Sequence, residues 1–319
     1  MNKITIREYQ PGDSEKIYKL FSEYSPYKRD AKFWVWLNRM LSDHKSIIVV
    51  AIKDNELIGH YAVIPQTVII NNNFYSSGLA IHAFIHPDHR NGFLIFQITK
   101  RMYKLAKSKN IDFIYGFPNK DFRDIQIKAD KWIEVSLFNS LEKTNLDHTD
   151  TNFSLVSCSN NHQDIYTLSE VIDKTGISEN IHIKKSLNYY INRYLNHPQT
   201  PYQNFFIKNN SEIIGFICLK TYEENGIKSG HIIDYLVTEK NGFNDIIKVT
   251  ENYFHKRVEK LSFWKFDEKT KSILLKSGFS ENGFETFFGI KILDDNKELE
   301  KQLSNFTNWD LCMGDSDAF

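Results

Sequence analysis

Residues 36–41, WLNRML, return as YINRYL at 190–195, and IKDNELIG at 52–59 returns as IKNNSEIIG at 207–215. GLAIHAFI (78–85) is answered by GHIIDYLV (230–237), NIDFIYGF (110–117) by KLSFWKF (260–266), and KADKW (128–132) by KSGF (276–279). The order is the same in both halves, and the first three pairs have offsets of 154, 156 and 152. Five matches in register predict two copies of one α/β fold. The copies are placed at 1–145 and 151–293, joined by the polar stretch TNLDHTDTN, with 294–319 as a C-terminal helix and docking tail.

Each copy reads as strand, helix, helix, strands, strand, helix, strand, helix, strand. ITIREYQ alternates as a short strand, and Pro11-Gly12-Asp13 turns into a helix with Ile17, Leu20 and Phe21 on one face. A second helix near 31–42 carries Phe33, Trp36, Leu37, Met40 and Leu41. SIIVVAIKD and LIGHYAVIPQTVII form a hairpin around Asp54-Asn55. GLAIHAFIH is a further strand, and FLIFQITKRMYKLAKS is a helix with Phe93, Ile98, Met102 and Leu105 turned to the core. DFIYGF is a buried strand, and WIEVSLFNSLEK closes the first copy as one strand.

Forty Lys and Arg residues balance forty Asp and Glu residues, so the overall field favours neither nucleic acid nor an anionic membrane. No run reaches membrane-spanning length and the start lacks a signal-peptide core, so a cytoplasmic protein without membrane insertion is expected. Cys158, Cys218 and Cys312 are odd in number and far apart, which argues against a disulfide framework or a zinc site; no metal is expected.

IHPDHRNGF (85–93) links a strand directly to a helix. The first amides of that helix and its dipole suit a phosphate, Gly92 permits close backbone approach, Arg90 adds a permanent cation, and Asn91 tolerates the turn. The second copy has Glu239-Lys240 before its own Asn-Gly-Phe, without the Arg.

The order of elements, the HPDHRNG loop after the fourth strand and FIYGFPNKDF (113–122) after the fifth together resemble the GNAT superfamily of acyl-CoA N-acyltransferases. Residues 3 to about 140 match throughout and the second copy matches as a degenerate one, so the expected fold is a tandem GNAT fold of two mixed-sheet lobes. HPDHR, YGFPN and the tail NWDLCMGDSDAF are most similar to N-acetyltransferases of amino-sugar and surface-polysaccharide biosynthesis.

The resemblance implies that Arg90, Asn91, Gly92, Phe93 and Leu94 hold the pyrophosphate of acetyl-CoA. It also implies that the backbone of Phe84 and Ile85 pairs with the pantetheine amides and that Asn119 bonds the same arm. An acyl-carrier protein presents that arm too and is an alternative donor. Two positions depart from the family pattern: Phe93 stands where glycine is usual, and Gln126 stands where the thiolate-protonating tyrosine is usual. Tyr115 and Tyr103 are the substitutes.

Attack of an amine on a thioester needs the amine neutral and the reactants held together, with a base to take the proton. His82 on the fourth strand, Asp234 and the tail carboxylates are the candidates, with Asp317 favoured in the tail. Asp315, Asp317 and the terminal carboxylate are expected to hold an ammonium as a loosely hydrated cluster, with Asp234 as a further substrate contact, Trp309 and Phe319 to anchor the tail, and Trp34 or Trp36 to stack on a sugar or nucleotide. The acceptor that the resemblance implies is a small-molecule amino sugar, nucleotide-linked. Aminoacyl transfer on the same tandem fold and a non-catalytic acyl-CoA-binding pair are the competing readings.

Overall fold

The computed structural model describes residues 3–25, 30–40, 45–90, 92–175, 178–238 and 243–318. Leu41, Asn91, the stretch Glu239-Lys240-Asn241-Gly242 and Phe319 lie outside the described residues. The chain forms two compact units: Met1–Leu137 with Thr286–Phe306, and Phe138–Glu285 with Thr307–Phe319.

The first unit begins with β1 (Thr5–Glu8), α1 (Asp13–Tyr24) and α2 (Ala31–Val35). β2 (Ile47–Lys53), β3 (Glu56–Ile70) and β4 (Asn73–Ile85) follow as a meander, then α3 (Phe93–Ser108), β5 (Phe113–Gly116), α4 (Lys120–Lys128) and β6 (Ile133–Asn139). Asp54 and Asn55 at φ 50° and 67°, and Asn71 and Asn72 at 49° and 63°, make the left-handed two-residue turns that fit the twist of the hairpins. α3 buries Leu94, Ile98, Met102 and Leu105 against Val49, Ala51, Val63 and Ile114. Each fully buried aliphatic side chain contributes about 1.5–3 kcal/mol, so this face holds α3 on the sheet. Phe93 departs from expectation: it starts the helix and is 66% exposed, because its position falls off the buried stripe.

The second unit comprises β7 (Leu141–Thr144), β8 (Phe153–Ser157), α5 (His162–Lys174), β9 (His182–Ile183), α6 (Leu187–Tyr190), β10 (Gln203–Asn209), β11 (Glu212–Glu224) and β12 (Ile227–Val237). α7 (Phe243–Phe254), β13 (Lys260–Phe263) and α8 (Glu268–Lys276) complete it, before β14 (Glu285–Ile292) and α9 (Lys297–Leu303). Its core gathers Ile207, Ile217, Leu219, Ile232, Ile247, Phe254, Leu261 and Phe263. No helix among the described residues is long and apolar enough to cross a membrane.

The repeat is visible strand by strand. One sheet runs β1-β2-β3-β4-β5-β14-β6, and the other, read from its far edge, runs β8-β10-β11-β12-β13-β7. Both are mixed: β4 lies parallel to β5, as β12 does to β13, while β2 with β3, β14 with β5 and β7 with β13 are antiparallel. WLNRM and INRYL each form a single π-turn, Trp36–Met40 and Ile191–Leu195, so the copies share even this irregularity. Two mixed α/β sheets of matching order constitute a tandem fold.

The last strands are exchanged between the copies. WIEVSLFNSLEK is not one strand: it divides at Ser140, and β7 pairs antiparallel with β13 through Leu141↔Phe263 to Thr144↔Lys260. Reciprocally, β14 pairs antiparallel with β5 through Gly289↔Gly116 to Ile292↔Phe113. The units therefore interleave along the chain, whereas the sequence reading ran the lobes contiguously over 1–145, 151–293 and 294–319. The physical reason is burial: Leu141 sits in the core with Leu261 and Phe263, and pattern matching along the chain carries no information on pairing across about 120 residues.

Candidate active site

The geometry that matters in the first unit is a defect in β4. Ala62 faces Ile81 and His60 faces Phe84, so the single residue Tyr61 opposes two, His82 and Ala83. This is a β-bulge, and His82 occupies its left-handed position at φ 52°. The buried imidazole of His60 donates from Nδ1 to the His82 carbonyl at 2.9 Å. An orphaned buried carbonyl would otherwise cost about 1–3 kcal/mol.

Just before the bulge β4 and β5 part company. Their parallel pairing covers only Ser77↔Phe113, Gly78↔Ile114 and Leu79↔Tyr115, while β4 continues to Ile85. The His86 amide donates to the Ile58 carbonyl at 2.9 Å. The alternation of an antiparallel ladder then turns the peptide groups of Ile85 away from β3, toward the parted side. Of the two residues expected to pair with a pantetheine arm, Ile85 thus presents its backbone there, while Phe84 faces β3. The Arg90 Nε donates to the Ile85 carbonyl at 3.0 Å, and its guanidinium lies 5.2 Å from the centre of the Phe84 ring.

The parted strands lead to two helix starts. Gly92 precedes α3 at φ 78°, no side chain caps the helix, and a β-carbon placed there would meet nothing within 4 Å. The first-turn amides of this 16-residue helix carry no acidic neighbour in the turn, so they and Arg90 form a cationic mouth suited to phosphates. Leu94 is buried and anchors the turn. At the end of β5, Asn119 caps α4 by accepting from the Phe122 amide at 2.9 Å through Oδ1. Its side-chain NH2 remains as a donor for a ligand.

His82 is half-buried, with the Phe21 ring 5.3 Å and the Phe33 ring 6.5 Å away. Tyr115 belongs to the last pair before the strands part and is 1% exposed, packed on Phe117 and Phe288. The alternative, Tyr103, is committed elsewhere: its hydroxyl donates to Asp130 at 2.8 Å and accepts from Trp132 Nε1 at 2.8 Å. Burial, with Tyr61 and Asp130 nearby, pushes that hydroxyl well above its ordinary pKa. Gln126 is buried and gives no proton. Trp36 corrects an expectation, since it is 3% exposed and packed against Phe33 rather than presented to a ligand. Trp34 is buried as well, against Tyr9.

The second unit carries the same kind of bulge, closed in a different way. Asp234 takes the place of His82 in the repeat, the β11–β12 register shifts beside it, and β12 pairs with β13 only at Ser229–His231. The tail lies against β12 here. A β-carbon on Gly314 would fall 2.1 Å from the Tyr194 hydroxyl oxygen and 3.3 Å from the Ile233 carbonyl oxygen.

Lys185 binds Asp234 and Asp315, each at 2.9 Å, and donates to Cys312 Sγ at 3.2 Å. Tyr194 donates to Asp234 at 2.6 Å, Tyr189 to the Gly314 carbonyl at 3.1 Å, and Arg193 to the Ser316 carbonyl at 3.1 Å. Burial disfavours the Lys185 cation, but Asp234 and Asp315 outweigh it and hold its pKa well above the usual value.

This overturns the loosely hydrated cluster. Asp234 and Asp315 are 2% and 4% exposed and already hold an ammonium, that of Lys185. Asp317 is half-buried and engaged, and Trp309 is the buried anchor expected of it. Sequence reasoning missed Lys185, which reads as half of a polar Lys184-Lys185 pair, and His60, whose only signal is its place opposite the bulge.

Residues 5–123 match a family model described as an acetyltransferase (GNAT) domain. No curated protein matches the chain. Among solved structures, a GCN5-related N-acetyltransferase from Anabaena variabilis ATCC 29413 is similar at TM-score 0.68 and 10% identity, over 93% of this chain and 75% of that one. A probable N-acyltransferase from Enterococcus faecalis V583 is similar at TM-score 0.68 and 11% identity, over 92% and 73%. Saccharomyces cerevisiae N-myristoyltransferase with bound myristoyl-CoA reaches TM-score 0.58 at 9% identity, over 91% and 79%. At such identities these likenesses establish the fold alone. Residues 5–123 thus carry a GNAT acetyltransferase domain within a chain whose overall fold is tandem GNAT-like, which supports an acyl-CoA-dependent N-acyltransferase.

Proposed function

We propose that the first unit transfers acetyl from acetyl-CoA to the primary amine of an amino sugar, nucleotide-linked, in surface-polysaccharide biosynthesis. The observation that carries the transfer is the parting of β4 from β5 at the His82 bulge, between the α3 mouth and Asn119. The pyrophosphate lies on the α3 amides and Arg90, and the pantetheine arm pairs with Ile85 and reaches Asn119. The thioester then comes to the parting. The amine nitrogen forms a bond to the acetyl carbon as the C–S bond breaks, and its proton passes to His82. The Tyr115 hydroxyl gives a proton to the departing thiolate. The choice of acceptor rests on the HPDHR, YGFPN and tail resemblance, now without Asp234 and Asp315 as ammonium ligands.

The test is release of CoA from acetyl-CoA, read by thiol titration, against a panel of free and nucleotide-linked amino sugars. A peptide amine and an acetyl-acyl-carrier protein serve as further arms. Turnover with a nucleotide-linked amino sugar is expected. Turnover with the peptide alone would replace the acceptor, and tight CoA binding without turnover on any amine would favour a binding role.

A further inference from the structure

We infer that His60 is a positioning residue for acyl transfer: its Nδ1–H holds the His82 carbonyl and so keeps the bulge that directs the end of β4 toward the acyl-CoA arm. The inference rests on reading the first unit as the acyl-CoA site.

A bulge leaves one residue of the longer strand outside the ladder, and its peptide group needs another partner. Here that residue is His82, and the partner is a side chain of the facing strand rather than its backbone. The His60 ring is fully buried, and Phe21 of α1 stands edge-on to it at 5.2 Å. The same Phe21 touches the rings of His82 and Phe84 at 5.3 and 5.2 Å, so one helix residue closes over both strands at the defect.

A carbonyl only accepts, so the proton must sit on Nδ1, which leaves Nε2 as a bare acceptor. Nε2 is buried and has no hydrogen-bond partner among the described residues. Burial lowers the pKa of the ring to about 4, which keeps it neutral and the tautomer fixed at ordinary pH. Without this donor the strand can shed its extra residue. A slip of one residue exchanges the faces of everything beyond it, which would bring Ile85 out of the α3 core and turn its peptide groups toward β3.

His60→Leu removes the donor, His60→Asn keeps an amide N–H at the same distance from the backbone, and His60→Gln moves it one bond further out. CoA affinity is measured by calorimetry below the melting temperature of each variant, alongside the KM for acetyl-CoA. The Leu variant is expected to bind CoA roughly 10–100-fold more weakly, the scale of one buried hydrogen bond, with Asn restoring most of the loss. Gln should fall near Leu. A folded Leu variant that binds CoA like the wild type overturns the role, as does a loss of melting temperature alone. Should Leu fail to fold, the Asn–Gln pair decides, and equal affinity of the two overturns it. A wild-type protein that binds no CoA instead removes the acyl-CoA reading itself.

Discussion

Replacing Lys185 with Met tests the tail-docking cluster most sharply. The change keeps side-chain length and removes the charge that two buried carboxylates share at 2.9 Å each. Breaking a buried pair by deleting one partner costs about 3–5 kcal/mol. At 1.4 kcal/mol per decade, that raises the population with the tail undocked by more than about a hundredfold. The readouts are denaturant unfolding and limited proteolysis beyond Thr307.

The loss also has a signed pH dependence. Burial raises the Asp315 pKa, opposed chiefly by Lys185, so removing Lys185 raises it further. A raised folded pKa adds stability that is fully present below the unfolded value of about 3.9 and is lost as pH rises through the folded pKa. The variant's deficit should therefore grow as pH rises above that unfolded value. A cost under about 1 kcal/mol, or one that does not grow as pH rises, would refute the buried ion cluster.

Arg90→Ala should weaken CoA binding by about 1–3 kcal/mol in calorimetry, because a charge-assisted phosphate contact and the link to Ile85 are lost together. Gly314→Val forces atoms into the space of the Tyr194 hydroxyl and should lower stability by about 1–3 kcal/mol; an unchanged melting curve would show that the tail has room to shift. His82→Ala should lower kcat more than it raises the KM for acetyl-CoA, and a variant that keeps the wild-type rate and acid limb removes His82 as base.

Much of the fold was legible because local chemistry announced it. The paired repeats, the Asp54-Asn55 turn, the Asn119 cap and the α3 stripe are all set by residues within a few positions of one another. The exchange of β7 and β14 was not, because which strand fills an edge depends on cores assembled from distant segments. The tail shows the same limit. Its aromatic and acidic composition pointed to docking, but not to Lys185, whose charge lies 130 positions before Asp315. Deleting 314–319 removes Asp315, one of the two carboxylates that hold Lys185, so the second unit should lose stability. At the proposed acyl-CoA site, the strand-to-helix loop follows from motif order, whereas the His60–His82 hydrogen bond runs across a strand pair and leaves no sign along the chain.

The strand exchange also governs how this protein is made. A chain emerging from the ribosome completes residue 137 long before β14, so β5 must wait with an unpaired edge. At synthesis rates of about 5–20 residues per second, that wait is on the order of ten seconds or more. An edge left open that long is a template for pairing with a neighbouring chain, which makes aggregation during synthesis the characteristic hazard of this topology. It also means that a gene cut in the 145–151 linker does not yield two free-standing domains. Each fragment carries the strand that closes its counterpart, so the pieces should be insoluble apart and recover only when produced together.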